Sequence, residues 1–244
     1  MGIPGIGSAG GAFPDSLCSI LQSGALTVAL QPVVALRTGQ VIGYESLLRG
    51  PAGTAWEAPG RLFQAARAEG LLAALEAAAR RLGWAAAARL DPGQVLFLNL
   101  GWVDGPIALN PDRVPVDPRR VILEVPETAP GVHDACFLAA LDRWRRAGHP
   151  IALDDYGAGC ATVERLLTLR PDWIKLAGPW VRGVARDRWR VAVIQGVLGA
   201  AREVGAQVVA EGCETAEDAA CLAALGVPFG QGFWWGRPQR LDSE

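Results

Sequence analysis

From residue 16 onward, short apolar runs alternate with longer stretches in which Ala and Leu are interleaved with Arg and Glu. SLCSILQSG predicts a short helix, and ALTVALQPVVAL after it predicts a strand. A turn signal at residues 37–40 precedes VIGYESLL, so the two strands are expected to pair as an antiparallel hairpin. Residues 59–90 carry the pattern of one or two helices, with Gly70 and Gly83 placed to break them. Beyond them, VLFLN, VILEV, PIALD, WIKLA, VVAE and FGQGFWW read as strands. Helical patterns over 134–147, 163–169, 188–204 and 216–225 separate the later ones. Such alternation predicts an α/β fold with a parallel sheet under helices, and seven or eight strands predict a closed (β/α) barrel.

Polar residues punctuate these runs. Glu45 closes VIGYE, Asn99 sits in VLFLN, and Glu124 and Glu127 lie in VILEVPE. Asp154 and Asp155 close PIALDD, Lys175 closes DWIK, Glu211 closes VVAE, and Gln231 opens QGFWW. Strand side chains alternate faces, so Ala152 and Asp154 share one face and Ile151 and Leu153 the other. The large apolar pair should face the helices, which points Asp154 into the barrel. Asp155 should face away unless the chain bends, as Gly157 and Gly159 permit. Barrel strands build their active site at their C-terminal ends, and all these residues fall near that end except Gln231, at a strand start.

Packed carboxylates repel unless positive charge lies between them, and a divalent ion is the usual answer. Oxygen donors with an Asn and no His or Cys suit Mg²⁺, Mn²⁺ or Ca²⁺ rather than Zn²⁺. Adjacent aspartates can bridge two ions, and two ions ~3.5–4 Å apart suit in-line displacement at phosphorus by activated water. Lys175 could orient that water or neutralise a phosphate, and Arg49 could grip a phosphate oxygen. Lys175 as a Schiff-base nucleophile is disfavoured, because a salt-bridged lysine stays protonated.

The 244 residues suit one barrel domain over 16–244, after a Gly-, Ala- and Pro-rich leader over 1–15 expected to be flexible. The leader holds GIGSAG, a formal G-x-G-x-x-G match without the preceding strand that a dinucleotide site needs. A net charge of −2 gives no reason to expect a nucleic-acid polymer as partner. No apolar run reaches the ~20 residues of a membrane span. Five cysteines without C-x-x-C spacing are expected to be free thiols in the cytoplasm. His133 and His149 fall at helix boundaries outside every motif and read as surface or capping residues. Trp234 and Trp235 read as rim packing, or as a stacking surface for guanine.

The segments QPVVALRTGQVIGYESLLRG, FLNL, LEVPET, ALDDYGAG, DWIKLA, VVAEGCET and QGFWWGRP, in this order, resemble the EAL domain. This is the bacterial cyclic-di-GMP phosphodiesterase family, and the resemblance covers roughly residues 25–240. It implies a modified TIM barrel whose first strand runs antiparallel to the others. It also implies hydrolysis of cyclic-di-GMP to linear pGpG with two Mg²⁺ or Mn²⁺ ions, Ca²⁺ occupying the site or inhibiting. By that resemblance Glu45, Asn99, Glu124 and Asp154 would hold the first ion, and Asp154, Asp155 and Glu211 the second. Lys175 would contact the attacking water or phosphate, Glu211 would help activate water, and Gln231 would orient water or substrate. Gln31 and Arg49 would bind substrate, and Glu127 would brace the loop after the Asp pair. A homodimer and an upstream sensory or GGDEF domain are further implications. The chain departs from the family pattern at Ser46, Pro126, the loop from Tyr156 to Thr162, and Ala177, where the family has Asp. Those departures leave a second reading open, a weak or inactive barrel that serves as a cyclic-di-GMP receptor. A pure interaction module is disfavoured, because unused buried carboxylates are costly.

Overall fold

The structure, a computed structural model, describes residues 16–101, 116–128, 134–159 and 162–241. The expected leader with its glycine motif, His133 and Cys160 lie outside the described residues. Eight strands close a barrel: β1 (Thr27–Ala35), β2 (Val41–Arg49), β3 (Val95–Asn99), β4 (Val121–Pro126), β5 (Ile151–Tyr156), β6 (Trp173–Leu176), β7 (Gln207–Ala210) and β8 (Phe229–Gln231). Strands β2 to β8 pair in parallel in chain order, and β1 closes the ring antiparallel to both β8 and β2. This is the modified TIM barrel, with the expected hairpin as its seam. A two-residue β9 (Gln239–Arg240) adds to β1.

The helices cover the outside: α1 (Leu17–Ser23), α2 (Pro59–Ala68), α3 (Leu72–Ala87), α4 (Ala135–Arg146), α5 (Thr162–Leu169), α6 (Gly178–Val181), α7 (Arg188–Val204) and α8 (Ala216–Leu225). Ser16, Asp134, Asp187 and Thr215 cap α1, α4, α7 and α8 with side-chain oxygens, satisfying first-turn amides that would otherwise lack partners. Of the two expected breaks, Gly70 takes φ +68° between α2 and α3, where a glycine is the cheapest residue. Gly83 does not break α3. It lies inside the helix against Leu98 of β3, where a Cβ would collide with the leucine methyl. Its absent side chain sets the helix–sheet distance.

The pleat sorts side chains as predicted on β5. Ala152 joins Val33, Phe97, Ile122 and Val209 inside the barrel, while Ile151 and Leu153 pack outward among Trp144, Leu141 and Ile174. His149 corrects the surface expectation, being 3% exposed. Gly148 at φ +98° turns the chain inward after α4, placing the imidazole edge-on to Trp84 and Trp144 with Nδ1 3.0 Å from the Val121 carbonyl. Burial lowers its pKa. Cys18, Cys136, Cys213 and Cys221 are free. Among the described residues no helix is long and apolar enough to cross a membrane.

Candidate active site

Lys175 is wholly buried in the barrel mouth, and four carboxylates from four strands or strand ends surround its ammonium. Nζ lies 2.8 Å from Glu211 Oε1, 2.9 Å from Asp154 Oδ1, 3.4 Å from Glu45 Oε2, and in contact with Glu124 Oε1. Strand alternation delivers these groups. Glu45, Glu124, Asp154 and Lys175 are inward positions of β2, β4, β5 and β6, and Glu211 follows β7 directly.

The charges shape one another. Burial alone would lower the lysine pKa, but the carboxylates more than offset this and hold it well above 10.5. Burial drives Glu124 and Glu211 well above 4.5, with Lys175 offsetting only part of the penalty. Glu124 Oε1 and Oε2, Asp154 Oδ1 and Lys175 Nζ are buried without a partner in hydrogen-bond geometry. Charge attraction to Lys175 outweighs hydrogen bonding to it at Glu124 and Glu211.

A polar chain crosses the mouth beside this cluster. Gln231 Nε2 donates to Glu45 Oε2 at 2.6 Å and to Gln31 Oε1 at 3.1 Å, and Asn99 Nδ2 approaches Glu45 Oε1 at 3.4 Å. Gln31 Nε2 in turn donates to the Gly236 carbonyl. Gln231 ends β8 rather than opening a strand, because FWW curls into a turn after Gln231. It thus joins the others at the C-terminal rim.

Asp155 reaches the mouth by a bend at its own α-carbon, φ +54°, where the β5–β6 register shifts between Leu153 and Tyr156. Burial, then the neighbouring Asp154, raises its pKa. After it the chain passes over Glu127, whose Oε2 accepts from the Gly157 and Gly159 amides. Ala177 is fully buried at the N-terminus of α6, where no side chain caps the helix.

A cavity of about 330 Å³ opens onto the cluster, lined by Gln31, Glu45, Asp155, Glu211 and Gln231. Arg182, Glu214 and Phe233 also line it. The sequence reading passed over these three. Glu214 lies within the VVAEGCET motif and Phe233 two residues past Gln231, whereas Arg182 ends a four-residue helix with no flanking signal. Phe233 is the aromatic face in this cavity, with Arg237 4.0 Å from its centroid, while Trp235 packs against the core as the rim-packing reading has it. Arg49 and Asn99 line a second, larger cavity of about 540 Å³ alongside. There Arg49 donates to its own neighbour's carbonyl at Leu48, and burial lowers its pKa.

The EAL domain family model matches residues 15–238. The chain belongs to the EAL domain family. It is 33% identical over 129 residues to the probable cyclic di-GMP phosphodiesterase PdeA of Escherichia coli, covering 53% of this chain and 18% of that protein. It is 28% identical to the bifunctional diguanylate cyclase/cyclic di-GMP phosphodiesterase MucR of Pseudomonas aeruginosa, covering 91% of this chain and 34% of MucR. The chain thus spans less than half the length of these curated relatives. Among solved structures, the PaMucR phosphodiesterase in complex with c-di-GMP superposes with TM-score 0.78 at 27% identity, covering 91% of this chain and 95% of that one. The Klebsiella pneumoniae BlrP1 manganese/cy-diGMP complex gives 0.77 at 28%, covering 94% and 63%. The barrel fold is therefore common ground.

Proposed function

We propose that this EAL domain is a divalent-metal-dependent phosphodiesterase that hydrolyses cyclic-di-GMP to linear pGpG. The observation that carries the reading is the convergence of Glu45, Glu124, Asp154 and Glu211 on one buried point, with Asn99 and Asp155 beside them. Among the described residues no three such groups stand in a metal-binding arrangement, and Lys175 Nζ lies between the four carboxylates. The donor set nevertheless suits hard cations: every donor is oxygen, and three carboxylate oxygens are buried without hydrogen-bond partners. Glu45, Asn99, Glu124 and Asp154 would hold one ion, and Asp154, Asp155 and Glu211 the other. When bound, Mg²⁺ or Mn²⁺ supplies an acidified water and neutralises charge on phosphorus. The calcium and manganese complexes of BlrP1 support a divalent requirement.

Hydrolysis adds one water across one phosphodiester. The water oxygen joins phosphorus, the bond to the 3′ oxygen breaks, and a proton goes to that oxygen. Glu211, which lines the cavity, is placed to move the proton. Gln231 has Oε1 free of partners to orient water or substrate, while its Nε2 is fixed by Glu45 and Gln31. Lys175 is always charged and can meet phosphate oxygens as negative charge builds. Gln31 and Arg49 flank the site from the two cavities as substrate contacts. Glu127 holds the loop after Asp155. By analogy with MucR, named as both cyclase and phosphodiesterase, a GGDEF partner domain in a longer protein belongs to the reading; a cytoplasmic location and a homodimer rest on the family resemblance alone.

The uncapped, buried Ala177 behind Lys175 keeps the receptor reading as the second one. Both are separated by incubating the pure protein with cyclic-di-GMP and Mg²⁺ or Mn²⁺, beside Glu45→Ala and Asp154→Ala. pGpG from the wild type alone supports the enzyme. Binding without turnover in either metal points to the receptor, and absence of binding overturns both.

A further inference from the structure

Four acidic side chains from four strands or strand ends crowd one ammonium. Whatever negative charge they carry in this mostly buried mouth has that single cation to offset it, and an uncompensated buried charge costs far more than a surface one. Nζ approaches an oxygen of each of the four, the farthest at 3.4 Å, rather than pairing with one of them. The ammonium sits at the point between the four, where a small cation would. Lys175 projects from β6, which pairs in register with β7 through Lys175 and Leu176, and its flexible four-carbon stem is what can carry the ammonium off the centre.

We propose that Lys175 is the resident counter-ion of the metal-free barrel. Its ammonium holds the carboxylates together until divalent ions arrive, and then yields the centre to them. The inference rests on the metal-dependent reading above and adds a second role to the same lysine. Folding and metal loading become competing uses of one set of oxygens. The domain then needs no metal to fold, and its metal affinity is set partly by the work of displacing the ammonium.

The test uses Lys175→Met, which keeps length and volume while removing charge. Thermal melts are recorded with chelator and with Mn²⁺, and Mn²⁺ binding is measured by calorimetry. In chelator the variant should melt roughly 10 °C below the wild type, the size expected for leaving buried carboxylates uncompensated in a domain this large. With saturating Mn²⁺ most of that deficit should vanish, and Mn²⁺ should bind roughly tenfold more tightly than to the wild type. If Lys175→Met does not fold in chelator, refolding it in Mn²⁺ keeps the test open: a fold recovered with Mn²⁺ alone supports the proposal, and failure to fold in both conditions overturns it. A variant that melts like the wild type in chelator, or binds Mn²⁺ no more tightly, overturns the proposal while leaving the phosphodiesterase reading intact. A wild type that binds no Mn²⁺ overturns both.

Discussion

Glu127 Oε2 accepts the Gly159 amide at 2.6 Å and the Gly157 amide at 3.1 Å, so one carboxylate oxygen ties the end of β4 to the loop behind Asp155. Hydrogen bonds to a charged acceptor are worth about 1.5–3 kcal/mol, more than neutral ones. Glu127→Gln keeps the shape and weakens both bonds. We expect faster amide exchange confined to residues 157–159, and turnover reduced by about tenfold, the lower end for lost supporting contacts around a metal site. Unchanged exchange at Gly157 and Gly159 would show that the loop is held by other contacts.

Asp155 occupies the left-handed region, which Asp and Asn tolerate better than other side chains. Asp155→Asn should therefore melt within about 0.5 kcal/mol of the wild type while losing ~100-fold in turnover. Asp155→Val should lose activity and also about 1–3 kcal/mol of stability, because a β-branched residue is strained there. Chemical denaturation beside a turnover assay separates the two effects.

The barrel was legible because period-2 and helical patterns alternate cleanly, and Asp154's inward direction followed from parity alone. Parity did not reveal how Asp155 reaches the same mouth, since that depends on one backbone torsion that an Asp can adopt without a glycine's help. Gln231 read as a strand start because its following FWW is as apolar as a strand, although the chain turns there. His149 looked peripheral because helix ends are usually exposed; its burial depends on Trp84, sixty-five positions earlier in the chain, which no local pattern conveys. The ammonium at the centre of the acids is likewise a product of closure, visible only when strands β2, β4, β5 and β6 meet.

Gly83 offers a packing test. Alanine is the better helix former by roughly 1 kcal/mol, yet a Cβ here would meet Leu98 and lie 3.3 Å from Ser46 Oγ. Overpacking of this kind costs about 1–3 kcal/mol, so Gly83→Ala should destabilise on balance. Adding Leu98→Ala should make the pair less damaging than the sum of the singles, read from urea denaturation as a double-mutant cycle.

Phe233 presents a half-exposed ring to the smaller cavity, whereas Trp234 is as exposed but does not line it. Base stacking on an aromatic ring contributes ~1–3 kcal/mol. Phe233→Ala should weaken cyclic-di-GMP binding by roughly 10- to 100-fold, and Trp234→Ala by less than about twofold. Equal losses in titration calorimetry would restore the Trp residue to the ligand surface.

Buried acids and a buried imidazole pull the pH dependence in opposite directions. Glu124 and Glu211 have folded pKa values raised by burial, so the native state binds more protons than the unfolded chain above pH 4.5. Their contribution to stability is greatest below that pH and falls as pH rises toward the folded values. His149 is depressed by burial, so the unfolded chain binds more protons below pH 6.5, and stability is lost as pH falls through that range. In chelator, His149→Phe should leave a stability that declines steadily with pH from 4.5 upward, while Glu211→Gln should flatten that decline. Each proton accounts for about 1.4 kcal/mol per pH unit. With Mn²⁺ the sign should reverse, because the ligands must shed protons to bind it, and the melting temperature should rise with pH. Melts at several pH values, with chelator and with Mn²⁺, decide it: parallel curves in the two conditions would mean that these carboxylates do not hold the ion.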